Sequence, residues 1–192
     1  LRITQARNGV ALLNAVDILL RGLEVSDSTN GVWASSGGDV ELRNSRLWRN
    51  RQYGYTTSSQ MGRRSILQST FWGNRLAAVW TDGPVAASNN ILVATNDVPL
   101  ILESGFGSWS VDFNLFGLAP GAVIGTNSYE NLAYVNLRQW QNKNRDIQSL
   151  VIDPLFVNAT NGDFHLRSRQ GYWSNGTLRV ATNTSWAIDA GD

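Results

Sequence analysis

Cysteine is absent from the 192-residue chain, which excludes disulfides, zinc–thiolate centres and cysteine nucleophiles together. No run of about 18 apolar residues occurs, so nothing reads as a spanning helix, and Leu1-Arg2 does not open a secretory leader. The chain starts in mid-pattern and is expected to be a mature or excised segment of a longer protein. A single histidine makes no metal cluster. With neither a Gly-x-Ser-x-Gly elbow nor a glycine-rich phosphate loop, serine hydrolase, zinc and nucleotide chemistry lack their motifs. Lysine is scarce as well: Lys143 stands against 15 arginines, and arginine is the cation that grips carboxylate, sulfate or phosphate with two parallel donors. Residues 1–80 hold ten of those arginines and only five acids, an excess that the rest of the chain reverses. A net charge of +1 gives no general attraction to nucleic acid, and no nucleic-acid partner is expected.

Helical i, i+3, i+4 patterning is nearly missing; a repeat stands in its place. Short units close on Val25, Leu47, Phe71, Ile91 and Leu115, and a second column upstream reads Val10, Val32, Tyr55, Val79 and Leu100, mostly behind a small residue such as Gly9, Gly31 or Gly54. Within units the apolar residues alternate, as in Ile18/Leu20 and Val40/Leu42, which is the period of a strand with one buried face. Strands this short cannot bury a face alone, whereas coil stacked on coil makes a continuous core. The expectation is therefore an all-β, right-handed parallel β-helix, a solenoid with coils of about 22 residues. A β-sandwich, which also uses short strands, is the rival. Asn50 and Asn74 each follow a tryptophan by two residues and are expected to bond to one another as a turn ladder. From Leu118 to Asn136 the repeat lapses, which suggests an irregular loop leaving the stack. A short helix carrying Leu137 and Trp140 is expected to follow, within 136–146.

The later part of the chain carries a series of motifs: Ser110-Val111-Asp112-Phe113-Asn114-Leu115-Phe116, Leu137-Arg138-Gln139-Trp140, Asp153-Pro154-Leu155-Phe156-Val157, Gly162-Asp163-Phe164-His165-Leu166 and Ala187-Ile188-Asp189-Ala190-Gly191. This order resembles the C-terminal end of bacterial right-handed parallel β-helix proteins of the pectate-lyase-like superfold, large exported or surface-anchored proteins, many of them active on polysaccharides. The resemblance implies a secreted or cell-surface location. It also implies one domain, with β-helix coils over 1–117 and a loop excursion with closing coils over 118–192. In the motifs themselves Phe156, Phe164, Leu166 and Ile188 read as core and Asp153-Pro154 and Gly162-Asp163 as turns, so they carry no chemistry.

Two candidate sites remain. Aligning coils on Leu20, Leu42 and Ile66 puts Asp17, Asp39 and Arg63 in one column, with adjacent coils about 4.8 Å apart. Two carboxylates and a guanidinium at that spacing suit calcium or the acidic sugar of a polyuronate; the alternative is that Arg63 offsets carboxylate repulsion on a solvated face. The second candidate is a glycan face of Trp48, Arg49, Arg51, Trp72 and Arg75, joined by Trp33 and Trp80, in which flat indoles receive pyranose rings and arginines their acidic substituents. Against it stands the reading that these indoles cover turns or pack beneath loops. Two functions are left: a structural or polysaccharide-binding surface module, which is preferred because no acid, base and metal set is evident, and a polysaccharide lyase or uronate epimerase acting on an acidic glycan, with catalytic residues unassigned.

Overall fold

In the computed structural model the described residues are 1–58, 62–105, 109–174 and 176–188, with Ser36 described by its backbone alone. Asp189-Ala190-Gly191 of the closing motif lies outside them. Five successive coils each supply three short strands: β1 (Arg2–Thr4), β2 (Asn8–Ala15) and β3 (Ile18–Arg21); β4 (Glu24–Ser26), β5 (Asn30–Gly37) and β6 (Val40–Arg43); β7 (Arg46–Trp48), β8 (Tyr53–Thr57) and β9 (Arg64–Leu67); β10 (Thr70–Trp72), β11 (Ala77–Thr81) and β12 (Val85–Ser88); β13 (Ile91–Val93), β14 (Pro99–Glu103) and β15 (Ser110–Asp112). A sixth turn gives β16 (Leu115–Gly117) and β17 (Val123–Asn127), followed by β18 (Leu132–Tyr134), helix α1 (Leu137–Gln141) and β19 (Leu150–Val151). Strands of like position pair in parallel from coil to coil into sheet A (β1-β4-β7-β10-β13-β16-β19), sheet B (β2-β5-β8-β11-β14-β17, with β18 added antiparallel) and sheet C (β3-β6-β9-β12-β15). The protein is a parallel β-solenoid, and the pairing a sandwich requires does not occur between its coils.

The core runs down the axis as columns of side chains, one per coil. In sheet A, Val25, Leu47, Phe71, Leu92 and Phe116 are in register and all are buried. The expected column is thus correct through Phe71 and then slips by one residue: Ile91 pairs with Thr70 and Leu115, on the other face. The same slip moves the sheet B column from Leu100 to Ile101, the partner of Val79. Because successive side chains of a strand point to opposite faces, one residue decides inside or outside. The corner fixes the register. The residue turning each coil into sheet A adopts left-handed φ at Gly22, Asn44, Gln68, Asn89 and Phe113, so the fourth and fifth coils turn one residue later than Ser88 and Asp112. At Gly54 there is no room for a side chain: an added Cβ would lie 2.5 Å from Phe71 Cδ1 and 2.7 Å from Ala78 O.

Two polar ladders flank sheet A. Behind each corner, Leu23 N–H donates to Ser45 Oγ, Ser45 N–H to Ser69 Oγ, Ser69 N–H to Asn90 Oδ1 and Asn90 N–H to Asn114 Oδ1. On the far side Ala6 N–H donates to Ser28 Oγ, Ser28 N–H to Asn50 Oδ1 and Asn50 N–H to Asn74 Oδ1, and Asn50 Nδ2 also bonds Asn74 Oδ1 at 2.9 Å. The Asn50–Asn74 ladder is as expected, and it satisfies buried turn amides that would otherwise cost desolvation energy. Arg64 lies within the core, in a column between Val40 and Val85, and is 1% exposed. Its guanidinium bonds Gly38 O and Thr57 Oγ1.

The stretch from 118 is irregular and carries the expected helix, but it does not leave the stack, since β17 continues sheet B in parallel with β14. Helix α1 then closes the end. Asn136 caps it by accepting from Gln139 N–H at 3.0 Å, and Trp140 is fully buried against Tyr134 and Trp109. Asp146 Oδ2 accepts from Trp140 Nε1, and its Oδ1 accepts from Asn114 Nδ2 and Ser149 Oγ. Among the described residues no further coil follows β19. Two antiparallel hairpins follow, β20 (Phe156–Asn158) with β21 (Asp163–Leu166), and β22 (Tyr172–Ser174) with β23 (Thr177–Arg179), so the expected closing coils are replaced by hairpins. A coil must return to the stack, and the left-handed Gly162 and Gly176 instead reverse the chain locally.

Candidate functional site

Sheet C has an apolar inner column, Leu20, Leu42, Ile66, Ala87 and Val111. Its outer column, one residue off, is Leu19, Glu41, Ser65, Ala86 and Ser110. Small side chains on the last three coils leave a concave floor, and Asp17, Asp39 and Arg63 stand one position before the strands as one wall. Together with Ser88 they line a groove of about 450 Å³ that crosses all five coils. Four inter-strand steps of about 4.8 Å make it about 19 Å long. The structure therefore brings the first candidate set together on one groove, as the coil alignment expected. Asp39 Oδ1 accepts the backbone N–H of Arg63 at 2.7 Å, and the backbone of Ile18 donates to Asp39 O, which fixes the column. Glu41, which sequence reasoning passed over, joins them on the floor and pairs with Arg43 at 3.2 Å. Its position two residues after Asp39 on an alternating strand was the available signal. Among the described residues no group of three or more His, Cys, Asp and Glu side chains is placed to hold a metal ion, so the calcium expectation gains no support here.

The second candidate does not assemble. Trp48 and Trp72 are neighbours in sheet A, whereas Trp33 and Trp80 share a column of sheet B with Thr56 between them, so the four indoles lie on two sheets. Trp48 is 2% exposed. The first C-terminal hairpin folds back over it, placing the Phe164 ring 5.6 Å from Trp48 and 6.3 Å from Trp72, both edge-on. Arg49 is engaged as well: its guanidinium grips Asp27 with two bonds near 3.0 Å, donates to Thr160 O of the hairpin turn and lies 4.1 Å over the Trp48 ring. A tryptophan pair on an outer face is an apolar patch that this chain covers with itself. Half-buried Trp80 stacks on Tyr53 at 6.1 Å. Arg51 and Arg75 are exposed on adjacent coils, with no side-chain partner among the described residues. Of the three arginines in the set, Arg51 and Arg75 keep a free head, whereas Arg49 is engaged.

A further cluster, at the end of the stack, was not foreseen. Glu103 is 3% exposed, bonds Arg145 at 2.5 Å and accepts from Asn127 Nδ2 at 3.0 Å. Arg145 in turn lies 4.5 Å over Trp140. Burial pushes the Glu103 carboxyl above its ordinary range despite the nearby Arg145. Burial does the same to Asp146 against its three donors. Both acids are enclosed and hydrogen-bonded, so they lock β14, β17 and α1 together instead of meeting a ligand. His165 is exposed on β21 and bonds Asp163 at 2.6 Å.

Fold and groove together define a β-solenoid with one open, polar face running along its axis. No helix among the described residues is long and apolar enough to cross a membrane. The family described as disaggregatase related matches residues 76–191, from just before β11 in the fourth coil to the closing segment. That is most of the chain, and the protein belongs to this family. No curated protein and no solved structure matches it.

Proposed function

We propose that the chain is a polysaccharide-binding solenoid module of an exported or cell-surface protein, and that the sheet C groove is its glycan face. The observation that carries this reading is the groove itself: a charged wall of Asp17, Asp39 and Arg63 on the first three coils leads onto a floor of small side chains, Ser65, Ala86 and Ser110 with Ser88 beside them, on the last three. An extended chain of sugars matches a straight groove of that shape. Carboxylates and serine hydroxyls pair with sugar hydroxyls, and recognition is spread over repeating positions. On the outer face of sheet C Asp17, Asp39 and Glu41 are balanced by Arg21, Arg43 and Arg63, so it suits a neutral, hydroxyl-rich stretch better than the densely acidic glycan expected from the arginine count. The resemblance of the C-terminal motifs to exported bacterial β-helix proteins supports the location.

A lyase or epimerase reading has one observation in its favour: a guanidinium, Arg63, stands beside carboxylates in the same groove, where one neutralises a uronate and another group takes the neighbouring proton. Calorimetric titration with long neutral and acidic oligosaccharides separates the two. Binding of the neutral series, lost at least about tenfold in Ala86→Tyr, whose side chain fills the floor, supports the module. Binding that ignores Ala86→Tyr and Arg63→Ala overturns this site. Growth of unsaturated-uronate absorbance during the titration places the chain among lyases instead.

A further inference from the structure

Eight tryptophans are present, and among the described residues just two are well exposed: Trp173 at 60% and Trp186 at 64%. Trp186 stands on the wall of a cavity of about 650 Å³, the size of a small-ligand site. The cavity lies at the end of the solenoid away from the first coil, between the segment after β19 and the closing segment. Leu155 and Ile188 give it an apolar floor; Asp153, Arg169 and Asn183 bring polar groups to its rim.

The wall is held in place before any ligand arrives. Ser185, 2% exposed, donates its N–H to Arg167 O at 2.9 Å and accepts Ala187 N–H on its hydroxyl at 3.1 Å, which pins the residues on both sides of the indole. Arg169 N–H bonds Thr184 Oγ1 at 3.1 Å and its Nε donates to Thr182 O, so the guanidinium is oriented while its two terminal nitrogens keep no partner among the described residues. Asp153 Oδ1 accepts Leu155 N–H at 2.8 Å, and its second oxygen remains available. Leu155 itself holds left-handed φ of 54°, a conformation that costs a branched-chain residue energy and that persists here with its side chain facing the cavity.

We infer that this cavity is a binding site for a single neutral pyranose ring, stacked on the Trp186 indole and hydrogen-bonded at its hydroxyls by Arg169, Asp153 and Asn183. An indole face takes the C–H face of a sugar. One arginine and one aspartate balance in charge, so the site offers donors and acceptors without favouring an ion. It lies apart from the sheet C groove, shares no residue with it, and rests on the glycan reading only in the ligand's chemistry.

The test uses the full chain and a panel of methyl glycosides of glucose, galactose, mannose and N-acetylglucosamine, each too small to span the groove. Titration is followed by the indole N–H resonances, with that of Trp186 identified by its loss in Trp186→Phe. The expected result is a saturable shift of the Trp186 resonance with at least one sugar. Affinity should fall about tenfold or more in Trp186→Ala and in Arg169→Ala. Trp173→Ala and the groove variant Ala86→Tyr should leave it unchanged, and unfolding midpoints should stay at the wild-type value. No shift with any sugar, or a shift that survives Trp186→Ala, overturns the site while leaving the groove reading to its own titration.

Discussion

Removing the Asn74 side chain tests the idea that the polar ladders, as much as the apolar columns, hold the coils in register. Asn74 Oδ1 accepts from Asn50 N–H at 3.1 Å and from Asn50 Nδ2 at 2.9 Å, and Asn74 Nδ2 donates to Leu47 O at 2.8 Å. Both asparagines are nearly inaccessible, at 3% and 1%, so water does not replace what is lost. Alanine strands Asn50 N–H and Leu47 O, while Asn50 Nδ2 keeps Val25 O at 3.5 Å; at about 1–3 kcal/mol for each stranded group, Asn74→Ala should destabilise by about 2–6 kcal/mol. Serine should do better. Elsewhere on the ladders Ser69 Oγ accepts Ser45 N–H at 3.2 Å and Ser28 Oγ accepts Ala6 N–H at 3.1 Å, so Asn74→Ser keeps the backbone bond and should cost about half as much. Urea unfolding measures the total, and hydrogen exchange of the Asn50 amide reports the rung itself. An alanine cost below about 1 kcal/mol, a serine cost equal to alanine's, or an Asn50 amide still protected in the alanine variant would refute the reasoning.

Phe71, fully buried between Leu47 and Leu92, should cost about 3–5 kcal/mol when cut to alanine, by the same unfolding measurement; a harmless truncation would contradict the core column. The cap should respond to pH. Burial raises the Glu103 carboxyl above 4.5, so its protonated form favours the fold, with the contribution complete below that value and lost as pH climbs through the raised one. Glu103→Gln removes the titration, and the stability of wild type minus variant should therefore shrink between about pH 4 and pH 7. Urea midpoints across that range check it; a difference that widens with pH has the opposite sign and rejects the account.

Much of the fold was legible because a solenoid writes its core as a period. Val25, Leu47 and Phe71 announce the column, Asn50 and Asn74 the ladder, and Leu20, Leu42 and Ile66 the register that brings Asp17, Asp39 and Arg63 onto one groove. These are contacts between equivalent positions one coil apart, and spacing alone predicts them. Where the corner moved by one residue, at Asn89 and Phe113, spacing gave Ile91 and Leu115 in place of Leu92 and Phe116, because the left-handed turn that sets the face leaves no mark that counting detects.

The tertiary structure alone decided what covers the outer surface. Trp48 and Trp72 look outward in any coil alignment, yet Phe164 and the Gly162 turn, 90 or more residues on in the chain, lie over them. Glu103 meets Arg145 and Asn114 meets Asp146 by the same kind of long return. The exposed indole that completes a cavity, Trp186, falls in a segment with no repeat at all. A periodic sequence determines its stack, since each coil is templated by its neighbour. Nothing periodic specifies where a non-repeating tail docks, and that depends on shape and burial across the finished fold.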